Sequence, residues 1–552
     1  MYISMSLFVL NFAVFVNSAT EKNPEILNAT CGPIKGNIYR HGNQTVNGYL
    51  GIPFAKAPIG NLRYKKPMPA DKWRNPLDCY QYGTGCPQSG FYPFSPPGAQ
   101  TYSEDNCLNL NVFSPKHRSS EIFKGLPVMV YFYGGGFEIG SSSLIDDYYL
   151  SGSLPLKGVI VVTANYRVGP LGSFTTGDEV SKGNYGLWDQ TLVLKWVQEH
   201  IASFGGDPDN VTIFGTSAGG ASVDFLALSP HSNKLFHRYM SNSGTAFCDF
   251  AIRPKDIQGK VFREFAKFQG YTGNGSTSLL QWYQAQDPKI FTDTQKFTKP
   301  TSGLMTFVPN FDGDFFPKPF DELRKEAPKL DVLATVTEYE GLVFVLFVPK
   351  NQTFEATVSQ TFTSDRVNDP EATKKMLTDW YMSGVNPNDT DAVTRKIIEF
   401  VGDSEMNIGT FDTVRSSLKY GNNVYLGSFD YFNKFSENPI TLLLPFKAAY
   451  HGSDLRYILG ESMEKYKATE EELKVMDMMR DYVANFAKYG NPNGKTGPQT
   501  WEKYSAAHSD RYFKIDYPKS EMKNNFQNGR LKIYDEINQN SLKYQEIVYG
   551  RK

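Results

Sequence analysis

Residues 211–228 read VTIFGTSAGGASVDFLAL. The apolar run at 211–214 predicts a short buried strand, and 221–228 has the pattern of a helix. Between them, 215–219 form a G-x-S-x-G pattern. Alone the pattern is weak, because a purely structural turn of small residues also produces it. Between a strand and a helix, however, it predicts a sharp turn that pushes the Ser217 hydroxyl into a pocket as a nucleophile.

Similar apolar runs recur along the chain and alternate with helical patterns. They lie at 128–133 (VMVYFY), 159–164 (VIVVTA), 332–336 (VLATV) and 424–429 (VYLGSF), and a helical pattern covers 187–203. Apolar strands that alternate with helices predict an α/β fold with a large, mostly parallel central sheet flanked by helices. In such a sheet the chemistry is expected at the carboxyl ends of the strands.

Two longer stretches, 254–328 and 354–422, are more polar and more helical. We expect them to be helical insertions over the active-site pocket. The chain contains no internal repeat, low-complexity tract or linker, so residues 20–552 are predicted to form a single domain.

A serine needs a neighbouring base to become nucleophilic at neutral pH, and the chain has seven histidines. In this type of turn the chain order is serine, acid, histidine. Histidines before Ser217 are therefore excluded, and His231 and His237 follow too soon to leave room for an acid-bearing strand. Of the two that remain, His451 lies in a glycine-containing turn after an apolar run, whereas His508 lies in a polar stretch. The sequence favours His451 as the base, the alternative being a histidine in a surface loop.

The acid is expected where the strand at 332–336 leads into TEYEG, at 337–341. Both glutamates of this segment emerge at the carboxyl end of a strand. Glu340 is favoured because the glycine after it allows a tight turn, and Glu338 remains the alternative. In this reading the histidine takes the serine proton and the glutamate stabilises the imidazolium.

Donors for a negatively charged tetrahedral intermediate are predicted at 133–137 (YGGGF), at the end of the strand at 128–133. A glycine triplet lets backbone amides point into a cavity at angles that other residues avoid. Alone, such a triplet is often a flexible turn. Together with the serine turn it indicates an oxyanion hole, which the N–H of Ala218 completes.

The composition is that of a globular protein. Of the 552 residues, 40% are hydrophobic and 14% aromatic, and 57 basic against 58 acidic side chains leave a net charge of −1. This balance excludes a polybasic nucleic-acid binder. No stretch beyond the N-terminus reaches the roughly 20 apolar residues that a membrane span requires.

The first 20 residues contain no charged side chain, and 7–16 (LFVLNFAVFV) are apolar apart from one asparagine. With the small residues that follow, this pattern predicts a signal peptide at 1–19, the alternative being a buried helix or an uncleaved anchor. Six Asn-X-Ser/Thr sequons fit a secreted glycoprotein. They lie at Asn28, Asn43, Asn210, Asn274, Asn351 and Asn388. Asn210 is expected to stay unmodified because a buried strand follows it.

Several stretches resemble signatures of the type-B carboxylesterase/cholinesterase family of α/β-hydrolases. They are 51–64 (GIPFAKAPIGNLRY), 105–112 (DNCLNLNV), 133–137 (YGGGF), 165–169 (NYRVG) and, most specifically, 184–220. The acid region TEYEG and the base region YHGSDLRYILG also resemble family segments. The resemblance covers nearly all of the chain after the predicted signal peptide.

The resemblance implies an α/β-hydrolase fold and a set of catalytic residues. The implied triad is Ser217, Glu340 and His451, and the implied oxyanion donors are Gly135, Gly136 and Ala218. It also implies a disulfide between Cys86 and Cys107, and structural ion pairs of Arg63 with Asp105 (Glu104 as the alternative) and of Arg167 with Asp189. We expect these last residues to support the fold rather than take part in chemistry.

Cys248 occupies the first position of a second family disulfide, but the expected partner near Tyr271 is absent. Cys248 is therefore expected to be free or paired with Cys31 or Cys79. The chain has five cysteines, so at least one lacks an intramolecular partner.

Two departures from the family bear on the substrate. Thr216 stands where many members have Glu or Gln, and the choline-stacking Trp of cholinesterases has no counterpart between Cys86 and Cys107. We therefore expect hydrolysis of neutral, small-molecule carboxylic esters through an acyl-enzyme intermediate. No metal, cofactor, nucleic acid or stable membrane anchor is expected, and the oligomeric state stays open.

Two other functions remain as alternatives. A lipase acting on aggregated lipid esters would need an exposed apolar lid, and the sequence does not reveal one. A non-catalytic adhesion or binding ectodomain on the same fold would lack a triad residue, whereas this chain has candidates for all three.

Overall fold

A twelve-stranded sheet forms the centre of the protein. The computed structural model describes residues 20–89, 102–116, 124–292, 294, 297–349, 351–433 and 440–551. The predicted signal peptide at 1–19 lies outside these residues, as does part of the segment between Cys86 and Cys107.

Seventeen strands occur in the described residues, and their bounds follow. They are β1 Thr20–Lys22, β2 Leu27–Ala29, β3 Gly32–Lys35, β4 Asn37–His41, β5 Gln44–Pro53, β6 Leu77–Asp78, β7 Asn109–Pro115, β8 Leu126–Phe132, β9 Ile160–Ala164, β10 Gly206–Thr216, β11 Arg238–Asn242, β12 Arg253–Pro254, β13 Asn310–Phe311, β14 Asp331–Thr337, β15 Asn423–Phe429, β16 Tyr512–Ile515 and β17 Glu521–Lys523.

The order of strands in the large sheet is β1-β4-β5-β7-β9-β8-β10-β11-β14-β15-β16-β17. The seven strands from β9 to β16 in this order are mutually parallel. The pairs at the two edges are antiparallel. The prediction of a large, mostly parallel sheet is therefore confirmed.

Helices flank this sheet along most of the described chain. They are α1 Asp147–Ser151, α2 Gly169–Ser173, α3 Tyr185–His200, α4 Ala218–Leu228, α5 Lys255–Phe268, α6 Ser276–Ala285, α7 Phe320–Glu326, α8 Phe354–Thr361, α9 Pro370–Tyr381, α10 Thr390–Gly402, α11 Ile408–Lys419, α12 Ile440–Leu443, α13 Leu455–Leu459, α14 Glu470–Tyr489 and α15 Tyr534–Asn540. Short 3-10 turns that matter below are Glu104–Asn106, Glu340–Leu342 and Phe344–Phe347.

The five strands quoted from the sequence are all present, with ends that shift by one or a few residues. The largest difference is β10, which begins at Gly206 and includes the polar residues 207–210. Those residues are partly exposed, and the pairing with β8 shifts register between Gly206 and Val211. An irregular, polar beginning of this kind is invisible to a search for apolar runs.

The register of the parallel strands brings several loops to one edge of the sheet. Thr216 at the end of β10 pairs with Asn242 at the end of β11, and Asn242 pairs with Thr335 in β14. The residues that follow β8, β10, β11 and β14 therefore lie side by side at the carboxyl ends of adjacent strands.

The two polar stretches of the sequence are helical in the structure. The first contains α5 to α7 and the second contains α8 to α11. None of the helices among the described residues has both the length and the apolar composition needed to cross a bilayer.

Candidate active site

Ser217 lies at the turn between β10 and α4. Its backbone angles, φ 60° and ψ −124°, are ones that a serine rarely adopts, and its N–H donates a 2.8 Å hydrogen bond to the carbonyl of Asn242. A Cβ at Gly219 would overlap the carbonyl of Phe132, so this position must be glycine. The sharp turn that the sequence predicts is therefore present. Its backbone is also strained, and strain of this kind is found mainly at functional sites.

His451 faces Glu340. The Nδ1 atom of His451 lies 2.6 Å from Oε2 of Glu340, whose side chain is fully buried. Because a carboxylate only accepts, Nδ1 carries the proton, and this leaves Nε2 as the free basic nitrogen. The Tyr339 N–H donates to the carbonyl of Ala449 over 3.0 Å, and this bridge holds the acid and base segments together.

The second oxygen of Glu340 is held from two sides. Oε1 accepts 2.6 Å hydrogen bonds from the hydroxyl of Ser243 and from the backbone N–H of Thr337. Both donors lie at the carboxyl ends of strands, Ser243 directly after β11 and Thr337 at the end of β14. The carboxylate is thus fixed in the orientation that presents Oε2 to the imidazole.

Glu338, the alternative acid, has a different environment. Its carboxyl group is partly buried, and burial, followed by the negative charge of Asp430, raises its pKa to about 7. Lys514 pairs with Asp430 over 3.7 Å. Of the two glutamates, the structure brings Glu340 to the histidine.

Asn242 connects the serine turn to the histidine segment. Its carbonyl accepts from the N–H of Ser217, and its Nδ2 donates a 2.8 Å hydrogen bond to Oδ2 of Asp454. Asp454 follows His451 by three residues and is buried. Burial, reinforced by the charge of Glu340, raises the pKa of the Asp454 carboxyl to about 6.

The glycine loop after β8 packs against the serine turn. A Cβ at Gly134 would lie 3.0 Å from the Cβ of Ser217, and Gly136 has φ 64°. Ala218 is the first residue of α4, so its N–H has no acceptor within the helix. The three predicted donors, Gly135, Gly136 and Ala218, thus lie on two segments that meet beside Ser217.

Glu138, two residues after the glycine triplet, anchors the segment that covers it. Its Oε1 accepts from the N–H groups of Thr306, over 2.5 Å, and Phe307, over 3.0 Å. The side chain of Met305 lies directly against Gly136. The insertion that contains α5 to α7 is therefore tied to the glycine loop at this point.

Cys86 and Cys107 are joined by a disulfide. Cys31, Cys79 and Cys248 are buried free thiols, so Cys248 has neither of the partners that the sequence left open. The thiol of Cys248 donates instead toward the carbonyl of Met406.

The prediction that Arg63 pairs with Asp105 is wrong. The guanidinium of Arg63 pairs with Glu104, which the sequence left as the alternative, and both side chains are buried. Ser103 precedes the Glu104–Asn106 turn, and its hydroxyl accepts a hydrogen bond from the backbone N–H of Asp105. The same hydroxyl faces the carboxylate of Asp105, which is exposed. One turn of helix thus directs consecutive acidic side chains to opposite environments.

The other predicted ion pair is present. Arg167 donates to both oxygens of Asp189, from Nε over 2.8 Å and from Nη2 over 2.7 Å, and its backbone N–H also donates to the same carboxylate. Both side chains are buried. The pair joins the segment after β9 to helix α3 and lies in the structural framework.

Sequence reasoning did not find Asn242, Ser243, Asp454 or Glu138. The segment RYMSNSG at 238–244 is too short and too mixed to be recognised as a strand. The one available signal was the run of polar side chains immediately before Gly244, because polar residues that end a buried parallel strand point toward a site.

Comparison with known proteins gives a consistent result. Residues 23–534 match the sequence model of the family described as "Carboxylesterase family". Esterase cest-33 of Caenorhabditis elegans is 49% identical over 539 residues, which cover 96% of this chain and 97% of that protein. Cholinesterase of Mus musculus is 31% identical, covering 92% and 86%. Liver carboxylesterase 1 of Oryctolagus cuniculus is 32% identical, covering 84% of each chain. The chain belongs to the carboxylesterase family and is a carboxylic ester hydrolase.

Proposed function

We propose that this chain is a secreted serine carboxylesterase that hydrolyses neutral carboxylic esters through an acyl-enzyme intermediate. The observation that carries the proposal is the 2.6 Å contact between Nδ1 of His451 and the buried carboxylate of Glu340, at the same edge of the sheet as the strained turn of Ser217. A buried acid that orients a histidine, at the sheet edge that also carries such a serine, supports nucleophilic catalysis.

In the proposed first half-reaction, Nε2 of His451 takes the proton of Ser217 as Oγ bonds to the ester carbonyl carbon. The oxyanion that forms accepts hydrogen bonds from the N–H groups of Gly135, Gly136 and Ala218. His451 then returns the proton to the alkoxy oxygen, and the alcohol leaves. Glu340 lies beside the transient imidazolium and stabilises its positive charge.

The second half-reaction repeats these roles with water. His451 takes a proton from the water as its oxygen attacks the acyl carbon, and the intermediate collapses to release the acid and restore Ser217. This chemistry uses only side chains and backbone amides of the chain.

Neutral esters fit the surroundings of the serine. Thr216 carries no charge where many relatives of this family place a carboxylate or an amide, and it is buried beside the nucleophile. The sequence between Cys86 and Cys107 offers no tryptophan on which a quaternary ammonium could stack. The non-catalytic ectodomain is disfavoured because candidates for all three triad residues are retained.

Secretion and a single mature domain at 20–552 remain part of the proposal. A disulfide between Cys86 and Cys107 favours an oxidising compartment. The asparagines of five sequons are exposed, at Asn28, Asn43, Asn274, Asn351 and Asn388. The side chain of Asn210 instead accepts a hydrogen bond from Arg238, which agrees with its expected lack of modification.

The test compares the purified protein with its Ser217→Ala variant. Turnover of p-nitrophenyl acetate and covalent labelling by a fluorophosphonate probe are measured on both. We expect the parent protein alone to turn over and to label. If the folded parent neither hydrolyses the ester nor labels, the proposal of serine catalysis is wrong.

A further inference from the structure

The three most exposed large apolar side chains of the described residues lie on two short helical segments. Leu442 is 76% exposed, Leu443 66% and Phe347 57%, whereas other exposed side chains of this kind reach at most 53%. Leu442 and Leu443 belong to α12, and Phe347 ends the Phe344–Phe347 turn. Single exposed leucines are ordinary, but a group of the most exposed ones marks a surface that binds something. We call Phe347, Leu442 and Leu443 the apolar lip.

The two segments that carry the apolar lip rest on one small hydrophobic cluster. Phe344, Val345 and Leu346 pack against it from the first segment. From the second, Leu444 is part of the cluster, and Ile440 and Phe446 pack against it. The rings of Tyr339 and Phe446 lie 5.0 Å apart between centroids and connect this cluster to the acid segment. The lip therefore projects from a packed base rather than from isolated loops.

The apolar lip adjoins the candidate active site. The ring of Phe344 lies 5.1 Å from the imidazole of His451, centroid to centroid, in the same helical turn that exposes Phe347. On the other segment, Leu443 precedes His451 by eight residues. The turn that exposes Phe347 therefore also touches the catalytic base, through Phe344.

Two exposed basic side chains accompany the segment that carries Leu442 and Leu443. Residues 341–349 and 440–453 contain no Asp or Glu. Lys447 is exposed, and the exposed guanidinium of Arg395 lies over the ring of Phe446, 4.1 Å from its centroid. Projecting apolar side chains with a basic rim match a lipid surface, whose acyl region accepts leucine and phenylalanine and whose phosphate groups attract cations.

We propose that the apolar lip docks this enzyme on a lipid surface, so that esters enter the active site from the lipid phase. The proposal rests on the proposed function and deepens it, because it names esters held in aggregated lipid as substrates. It supplies the apolar surface that the sequence did not reveal.

The binding test uses the full-length secreted protein with Ser217→Ala, so that no substrate is consumed. Its flotation with a trioleoylglycerol emulsion coated with phosphatidylcholine and phosphatidylserine is compared with that of the same protein carrying Leu442→Ser and Leu443→Ser. The matched control is Leu473→Ser, a leucine 53% exposed on α14.

We expect the double substitution to lower the partition coefficient about tenfold or more, because each leucine loses its transfer into hydrocarbon. The control should partition like its parent. A parent that does not float, or a double variant that floats equally well, overturns the proposal.

An activity test separates this proposal from the proposed function. With Ser217 present, the ratio of turnover on emulsified trioleoylglycerol to turnover on soluble p-nitrophenyl acetate is measured. We expect this ratio to fall about tenfold in the double variant and to stay constant in Leu473→Ser. Lack of turnover on both substrates would contradict the proposed function, while flotation would still test the lip. Two outcomes would contradict the lip proposal alone. One is normal turnover of the soluble ester with an unchanged ratio in the double variant. The other is a protein that forms a dimer which dissociates in the double variant but not in the control.

Discussion

The hydroxyl of Ser243 donates a 2.6 Å hydrogen bond to Oε1 of Glu340, on the opposite side of the carboxylate from His451. Ser243 has no contact with the imidazole among the hydrogen bonds of the described residues, so it acts through the acid. Its backbone is itself fixed, because its N–H donates to the carbonyl of Thr335 over 2.7 Å. Ser243 is therefore a positioning residue, supplied by the strand that lies between the serine strand and the acid strand.

Replacement of Ser243 by alanine removes one of the two donors to Oε1 of Glu340. We expect kcat on a soluble ester to fall about tenfold or more with little change in KM, because a hydrogen bond to a charged group contributes about 1.5–3 kcal/mol. Steady-state kinetics measures both constants. Ser241→Ala is the control, since its hydroxyl bonds to the carbonyls of Gly220 and Gly244 and not to the acid. An unchanged kcat in Ser243→Ala would contradict the positioning role.

The two neighbouring glutamates should respond differently to conversion to glutamine. Glu340→Gln places a neutral amide against Nδ1 of His451 and disturbs its tautomer, so we expect kcat to fall about 10³–10⁴-fold with a residual rate. Glu338→Gln should change kcat little, because the histidine is held by Glu340, whereas the charges acting on Glu338 are chiefly those of Asp430 and Lys514. Steady-state kinetics on a soluble ester checks both variants. A fall in kcat of similar size in Glu338→Gln would identify Glu338 as the catalytic acid instead.

Asp454 should make the stability of the protein depend on pH. Its pKa is raised from 3.8 to about 6, so between these values the folded chain keeps a proton that the unfolded chain has released. This contribution to the free energy of unfolding is present below about pH 4 and is lost as the pH rises through about 6. Asp454→Asn keeps an oxygen for the Asn242 amide but cannot ionise.

We therefore expect the stability of Asp454→Asn relative to the parent to rise by up to about 3 kcal/mol between pH 4 and pH 7. Urea unfolding at both pH values measures it. The exposed Asp105→Asn serves as the control and should show no such trend. A difference that stays constant with pH would contradict the buried, protonated state of Asp454.

The disulfide should contribute to stability. It closes a loop of 21 residues, and in the chain-entropy model its removal by Cys86→Ala and Cys107→Ala lowers the free energy of unfolding by about 3 kcal/mol. Thermal and urea unfolding measure the loss. Cys79→Ala removes a buried free thiol and should cost less. Equal losses in the two proteins would show that the cross-link itself adds nothing.

Removing the charge of Glu104 should destabilise the fold more than removing that of Asp105. Glu104→Gln leaves the buried guanidinium of Arg63 without its counter-ion, and breaking a buried pair costs about 3–5 kcal/mol. Asp105→Asn alters an exposed side chain and should change stability by less than about 0.5 kcal/mol. Urea unfolding measures the loss of stability in both variants. A larger loss in Asp105→Asn would identify Asp105 as the partner of Arg63 instead.

Local patterns were enough to predict much of this protein. The strand, serine turn and helix at 211–228 are specified by a short apolar run and by glycines that the backbone itself requires. The alternation of apolar strands and helices predicts a parallel sheet. Chain order narrows the choice of base to two histidines, and the glycines that follow His451 and Glu340 favour these two residues. These features depend on hydrophobic burial and backbone sterics, which act over a few residues and are therefore visible in a single sequence.

Contacts between distant segments could be found only after folding. Glu104 and Asp105 are adjacent acids, and only the orientation of one helical turn decides which of them meets Arg63. Ser243 becomes a partner of Glu340 because β11 lies next to β14 in the sheet, although 97 residues separate the two side chains in the chain. Leu442 and Leu443 look like core residues in the sequence, yet they are exposed. Hydrophobicity states what a side chain would gain from burial, whereas the packing of remote segments decides whether that side chain is covered.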